Sequence, residues 1–170
     1  MATHRLRAVL LPALAGLAAA IGCGGGTGPS TSVSSPPFAA VSAGTDYTCG
    51  ITAAGAAYCW GDNSLAELGD GTTTERLTPV LVAGGVSFAQ VSAGLGHTCG
   101  VTAAGAAYCW GANEDGELGN GTRTGPQQCS IFACSTAPVA VAGGVSFAAV
   151  SAGEFHTCGL EGCRCLVGDG

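Results

Sequence analysis

Cysteine offers the most chemistry in this chain of 170 residues, which contains ten cysteines. Cys49 and Cys59 lie at equal distances on either side of Ala54, and the same spacing recurs at Cys99 and Cys109. In an antiparallel hairpin with its turn midway, such residues face each other within disulfide range. The spacing therefore predicts two hairpin-closing disulfides. Metal binding is the rival interpretation, but zinc sites favour Cys-x2-Cys pairs, which this sequence lacks.

The remaining cysteines extend the disulfide prediction. Cys129 and Cys134 are expected to close a small loop, and Cys158 is expected to pair with Cys163 or Cys165, with Cys165 as the working choice. Ten cysteines in so short a chain indicate an oxidising compartment. The predicted disulfide cysteines are Cys49, Cys59, Cys99, Cys109, Cys129, Cys134, Cys158 and Cys165.

The other chemistry-bearing residues favour structural roles. His97 and His156 occupy equivalent positions of a repeat, but the first copy has Tyr47 there, so we predict packing rather than metal binding or proton transfer. The loop carboxylates lack the spacing of a calcium loop and are interpreted as turns, with weak calcium binding as the alternative. Trp60 and Trp110 are expected to fill space between repeats, with sugar stacking as the alternative. We predict no catalytic residue, metal site or cofactor.

The composition excludes several classes of protein. The absence of lysine removes Schiff-base enzymes and phosphate-loop proteins. Five arginines face eleven acidic residues, so the positive charge that neutralises a nucleic-acid backbone is missing, and we expect no nucleic-acid partner. A hydrophobic content of 47% argues against a disordered chain.

A repeat of about fifty residues must position these side chains. Residues 38–71 align with residues 88–121 at 24 of 34 positions, and a third copy begins at Phe147 after nine extra residues. Short glycine-bounded segments with alternating valine, phenylalanine and threonine predict strands rather than helices. These strands are expected near 38–42, 46–52, 56–60, 79–83, 88–92, 96–102, 106–110, 138–142 and 147–151.

Four strands per repeat predict an all-β fold, a partial β-propeller of about two and a half four-stranded blades. The motif Trp-Gly-x-Asn from Trp60, followed by Glu-Leu-Gly-x-Gly-Thr from Glu67, recurs from Trp110. This pattern, with Val-Ser-Ala-Gly-x-x-His-Thr, resembles the regulator of chromosome condensation repeat. The resemblance implies four-stranded propeller blades, commonly seven, and protein binding on their faces. Eukaryotic members include nucleotide exchange factors for a small GTPase. We do not expect that activity here, because the signal segment and the cysteines place the chain outside the cytoplasm.

The repeat domain is predicted to cover residues 38–170, with copies at 38–87, 88–146 and a partial copy at 147–170. After Gly159 the pattern is lost abruptly, which suggests a truncated or frameshifted reading frame. Two and a half blades would leave open sheet edges and uncovered blade faces. We therefore expect a tendency to self-associate through the open blade edges.

The first 37 residues have the pattern of an export signal and a tether. In residues 1–22, Arg5 and Arg7 precede an apolar run that is too short to span a bilayer as a helix. Cys23 and the glycines after it resemble the lipidated cysteine of a bacterial lipobox, although Ala20 stands where leucine is preferred. Cleavage after Ala20 and plain secretion is the alternative. Residues 23–37 are expected to form a Gly/Ser/Pro-rich linker.

One segment, residues 123–137, is not explained by the repeat. Insertions in repeat proteins map to loops, often on a binding face. Ile131 and Phe132 lie between two cysteines and are predicted to form an exposed apolar anchor for a partner. Arg123, Gln127 and Gln128 complete the candidate binding loop, and a surface loop without a binding role is the alternative.

The sequence as a whole predicts a non-enzymatic, extracytoplasmic protein-interaction module, tethered to the membrane of the cell envelope by an N-terminal lipid or else secreted. Its partner is expected to be a protein outside the cytoplasm. A protein that binds or degrades cell-wall polysaccharide, and an inactive truncated fragment, are the alternatives.

Overall fold

The computed structural model describes residues 35–160 and the backbone of residues 164–166. The predicted signal segment, Cys23, most of the predicted linker and Cys163 lie outside the described residues, and so does the side chain of Cys165. Among the described residues, no helix has the length and apolar character that crossing a bilayer requires.

The strands form three antiparallel sheets, one for each copy of the repeat. Blade 1 has the order β1-β2-β3-β4, blade 2 has the order β5-β6-β7-β9-β8, and blade 3 has the order β10-β11-β12. The bounds are β1 Phe38–Ala43, β2 Tyr47–Thr52, β3 Ala57–Gly61, β4 Arg76–Leu81, β5 Gln90–Ala93, β6 His97–Val101, β7 Ala107–Ala112, β8 Gln127–Cys129, β9 Phe132–Ala140, β10 Ala149–Ala152, β11 Thr157–Leu160 and β12 Arg164–Leu166. The prediction of an all-β partial propeller is confirmed.

The hairpin between β2 and β3 shows why the repeat needs glycine in its turns. Gly55 has φ +83° and donates its N–H to the Thr52 carbonyl at 2.9 Å. Gly105 has φ +86° and makes the same bond to Thr102 in blade 2. An L side chain rarely adopts this left-handed conformation, so glycine sets where both hairpins turn.

Strands β4 and β9 begin earlier than predicted. Strand β4 begins at Arg76 and β9 begins at Phe132, whereas strands were expected only from about 79 and 138. Pro79 and Pro138 lie inside these strands at places where the register with the neighbouring strand is interrupted, so the missing N–H is tolerated there.

Two apolar clusters lie between successive blades. The first joins Ile51 and Leu68 of blade 1 to Phe88, Val91 and Trp110 of blade 2, among other residues. The second joins Cys99, Val101 and Leu118 of blade 2 to Phe147 and Val150 of blade 3. Each blade thus buries one face against the next, because a single sheet cannot cover its own apolar side chains.

Candidate functional site

The segment without a counterpart in the first repeat forms a β-hairpin at the outer edge of blade 2. Strand β8 pairs with the start of β9 in the register Gln127↔Cys134 and Cys129↔Phe132, and a disulfide joins Cys129 to Cys134. The expectation of a loop was therefore incomplete. Ser130 turns the chain with φ +61°, a conformation that its residue type does not signal.

The base of this hairpin is fixed on both sides. Cys129 and Cys134 are buried against Ala66 of blade 1. The Gly71 N–H donates to the Thr136 carbonyl at 2.8 Å, and the Asn113 N–H donates to the Ala133 carbonyl at 2.8 Å. These contacts hold the hairpin as an ordered extension of the blade.

The tip of the hairpin is the exposed part of the candidate site. Ile131 is 79% exposed, and Gln127 and Gln128 are also exposed. Phe132, which was expected to be exposed, is half-buried, because it begins β9 opposite Cys129. Arg123 is exposed in the segment before the hairpin. The exposed apolar side chain of the hairpin is therefore Ile131 at the turn, and the uncharged Gln127 and Gln128 are exposed on β8.

His97 is a packing residue between blades 2 and 3. Its side chain is fully buried, and its Nε2 lies 2.8 Å from the Thr157 hydroxyl. Burial, and secondarily the charge of His156, lowers the pKa of His97 to about 4. An imidazole that is enclosed between blades and bonded to a buried threonine fits a packing role.

Tyr47 takes the corresponding place between blades 1 and 2. Its hydroxyl donates to the His97 carbonyl at 2.6 Å and accepts hydrogen bonds from the Gly94 N–H and the Thr98 hydroxyl. Burial raises the pKa of Tyr47 above its ordinary value. Thr98 and Thr157, both fully buried, were missed by the sequence analysis, although the His/Tyr-Thr-Cys run in every copy carries them.

Trp110 is fully buried, and its indole N–H donates to the Glu67 carbonyl at 2.8 Å. It fills the space between blades and is not available as a sugar platform. Trp60 is half-buried and stacks on Phe38, with ring centroids 5.4 Å apart.

The acidic loops are turns built around a buried asparagine. The Asn63 side chain accepts from the Leu68 N–H at 3.0 Å and donates to the carbonyls of Thr72 and Thr74, each at 3.1 Å. Asn113 repeats these bonds in blade 2. No group of three or more metal-ligating side chains occurs in the part of the chain that the structure describes.

Two loop carboxylates have shifted pKa values. Burial raises the pKa of Glu67 to about 7. The hydrogen bond that its carboxylate accepts from the Leu65 N–H acts in the opposite direction and lowers the pKa. Burial alone would raise the pKa of Asp70 as well, but hydrogen bonds from Thr72 and Arg76 bring it below the ordinary value. Arg76 and Asp70 form an ion pair at 2.8 Å, which ties the loop to β4.

The central hairpins of blades 1 and 2 carry the disulfides Cys49–Cys59 and Cys99–Cys109, with Cα atoms 4.1 Å apart in each pair. The three disulfides of the described residues indicate an oxidising environment of the extracellular kind. In blade 3 the register places Cys158 opposite Cys165.

These blades define the class of protein. Small antiparallel sheets of one repeat, packed face to face in a row, are the building blocks of a β-propeller. Two profiles described as regulator of chromosome condensation (RCC1) repeat match the sequence, one at residues 38–65 and 88–117, the other at 54–101 and 104–160. Since the second covers more than half of the chain, the chain belongs to the RCC1 repeat family.

Solved structures share this fold. Human WBSCR16 is 20% identical with a TM-score of 0.63, over 75% of this chain and 31% of that one. Yeast RCC1 (Prp20), solved bound to Kap60, is 18% identical with a TM-score of 0.58, over 72% of this chain and 29% of that one. The chain therefore spans about a third of the length of these structures. No curated protein matches the sequence.

Proposed function

We propose that the chain is a non-enzymatic protein-interaction module outside the cytoplasm, and that the β8–β9 hairpin is its main contact. The repeat family and its rigid blades support an interaction role. The disulfides support a location in an oxidising compartment. We further propose that lipidation of Cys23 tethers the module to the cell envelope.

The observation that carries this proposal is the exposure of Ile131 on a rigid support. A disulfide closes the hairpin, and Ala66 covers its buried base, so little conformational freedom is lost when a partner binds. Burying an isoleucine side chain contributes about 1.5–3 kcal/mol. The tip therefore resembles the apolar anchors that dominate many protein interfaces.

The chemistry of the tip defines the partner that it would suit. Ile131 requires an apolar pocket, and the exposed residues Gln127 and Gln128 on β8 carry no charge. The Gln127 amide oxygen already accepts a hydrogen bond from the Thr136 N–H, so its NH2 group and the Gln128 amide are the groups that could bond to a partner. We propose a folded protein of the same compartment, with a small hydrophobic cavity bordered by uncharged polar groups. The complex of yeast RCC1 (Prp20) with Kap60 is consistent with protein binding by a member of this family.

Ile131→Asp tests the hairpin. The full chain, exported and tagged, is used to capture proteins from the envelope of the source cell, and affinity for a captured protein is then measured with purified components. We expect Ile131→Asp to weaken binding about 10- to 100-fold, because a charge cannot enter the apolar pocket.

Leu77→Asp is the matched control, because Leu77 is an exposed apolar residue on β4 of blade 1, outside the hairpin. It should leave both the captured set and the affinity unchanged. Equal binding by the wild type and by Ile131→Asp would show that the hairpin tip is not the contact.

A further inference from the structure

The first described blade carries an apolar face that the other two blades bury. Val41, Val91 and Val150 are equivalent positions of the repeat. Val91 and Val150 are 7% and 3% exposed, since each packs against the preceding blade, whereas Val41 is 65% exposed. Phe38 and Trp60 beside it are half-buried where their counterparts are buried. We call Phe38, Val41 and Trp60 the leading face.

The third blade leaves uncovered the opposite face, the one that blades 1 and 2 pack against the next blade. Leu160 is 62% exposed, although its counterparts Ile51 and Val101 are buried against the next blade. His156 is exposed as well, although its counterparts Tyr47 and His97 are buried. We call His156 and Leu160 the trailing face.

The two interfaces inside the chain show how such faces fit. Ile51 and Val91 belong to one cluster, and Val101 and Val150 belong to the other. A polar contact recurs beside each cluster. The Ala93 N–H donates to the Ser42 hydroxyl at 3.0 Å, and the Ala152 N–H donates to the Ser92 hydroxyl at 3.0 Å. The next members of this series, Ser151 and Ala43, are both exposed.

We propose that the leading face of one copy docks on the trailing face of a second copy, head to tail. Val41 then packs on Leu160, and the Ala43 N–H donates to the Ser151 hydroxyl. A second copy is favoured over other occupants because the same chain carries both halves of an interface that it already forms twice. Such a contact is heterologous, so it forms rings where it closes and chains of molecules where it does not.

This proposal is independent of the hairpin. The hairpin extends the outer edge of blade 2, whereas the two faces belong to blades 1 and 3. Ile131→Asp should therefore leave the oligomeric state unchanged, and the failure of either proposal would leave the other standing.

The experiment uses the exported full chain and measures molar mass by sedimentation and light scattering. The wild type should form oligomers whose mass rises with concentration. Val41→Asp and Leu160→Asp should each be monomeric, because each removes one of the two faces. Leu77→Asp should associate like the wild type. Circular dichroism and thermal melting establish that each variant is folded.

A mixture of the two monomeric variants distinguishes this geometry from a symmetric dimer. Val41→Asp keeps an intact trailing face and Leu160→Asp keeps an intact leading face, so together they should form a one-to-one dimer that grows no further. A wild type that stays monomeric at about 0.1 mM would overturn the proposal. Oligomers that neither substitution affects, or a mixture that stays monomeric, would overturn it as well.

Should an Asp variant fail to fold, Val41→Ser and Leu160→Ser take its place, because they remove the apolar contact without adding charge. A loss of oligomers in both supports the proposal, and unchanged oligomers in both refute it.

Discussion

Single buried side chains hold the blades together. Among them, His97 shows most clearly how burial changes the pKa of a side chain. The imidazole is enclosed between blades 2 and 3, and its Nδ1 has no hydrogen-bond partner within the described part of the chain. A proton on this ring would be buried without compensation, which is why its pKa falls to about 4. Its counterpart Tyr47 fills the same place in blade 1 without this sensitivity to acid.

Stability should therefore depend on pH through His97. In the unfolded chain a histidine titrates near its ordinary pKa of about 6.5, so the unfolded state binds the proton first as the pH falls. The contribution of neutral His97 to the free energy of unfolding is therefore complete above about pH 6.5. It is lost progressively toward pH 4, by about 3 kcal/mol in all.

His97→Tyr should abolish this loss, because tyrosine already occupies the equivalent position in blade 1. Chemical denaturation of both proteins between pH 4 and pH 7 measures the difference in unfolding free energy. Glu67 titrates in the same window with the opposite sign, since its pKa is raised, but it contributes equally to both proteins. Parallel pH profiles would refute the role of His97.

At the scale of elements, the hairpin with a central disulfide is the unit that the chain repeats. Cys49 faces Cys59 and Cys99 faces Cys109 in the strand register, and both pairs are joined. A loop of this length contributes roughly 3 kcal/mol in the chain-entropy account of disulfides. Each small blade therefore has a covalent closure of its own in addition to its packing.

The register of blade 3 predicts which cysteine pairs with Cys158, a question that spacing alone left open. Cys158 lies opposite Cys165, in the same relation as the two joined pairs of the other blades. We expect a Cys158–Cys165 disulfide, because opposite positions of an antiparallel pair lie in bridging range. Mass spectrometry of unreduced peptides reads the linkage directly. A Cys158–Cys163 linkage would contradict this prediction.

At the scale of the molecule, the described blades form a row whose first and last members each present a face that the middle blade buries. This arrangement follows from packing sheets face to face, because every blade offers two faces and only neighbours cover them. The chain spans about a third of the length of its solved relatives, so their binding partners do not carry over to it.

The proposed tether is a property of the whole molecule in its cell. We expect the chain to incorporate labelled palmitate and to sediment with membranes, and we expect Cys23→Ala to abolish both, because the lipid is attached to that sulfur. Cys163→Ala is the control and should be labelled like the wild type. A Cys23→Ala protein that is processed and located like the wild type would instead indicate plain secretion.

Much of the fold could be predicted because its signals are local. Alternation of apolar residues placed most strands, and the equal spacing of cysteines about Ala54 and Ala104 placed two disulfides. The inserted hairpin was harder, since Ser130 adopts a left-handed turn that its type does not signal. Phe132 was expected beside Ile131 on the surface, but its place in β9 leaves it half-buried.

Residue type and spacing were enough to define the strands, the blades and the hairpin disulfides, because these depend on neighbours within one repeat. They could not distinguish Val41 from Val91 and Val150, which stand in the same local motif. Only the packing of one blade on another decided which of the three is exposed. Burial depends on residues of the neighbouring repeat, such as Ile51 for Val91 and Val101 for Val150. No pattern within a single repeat contains that information.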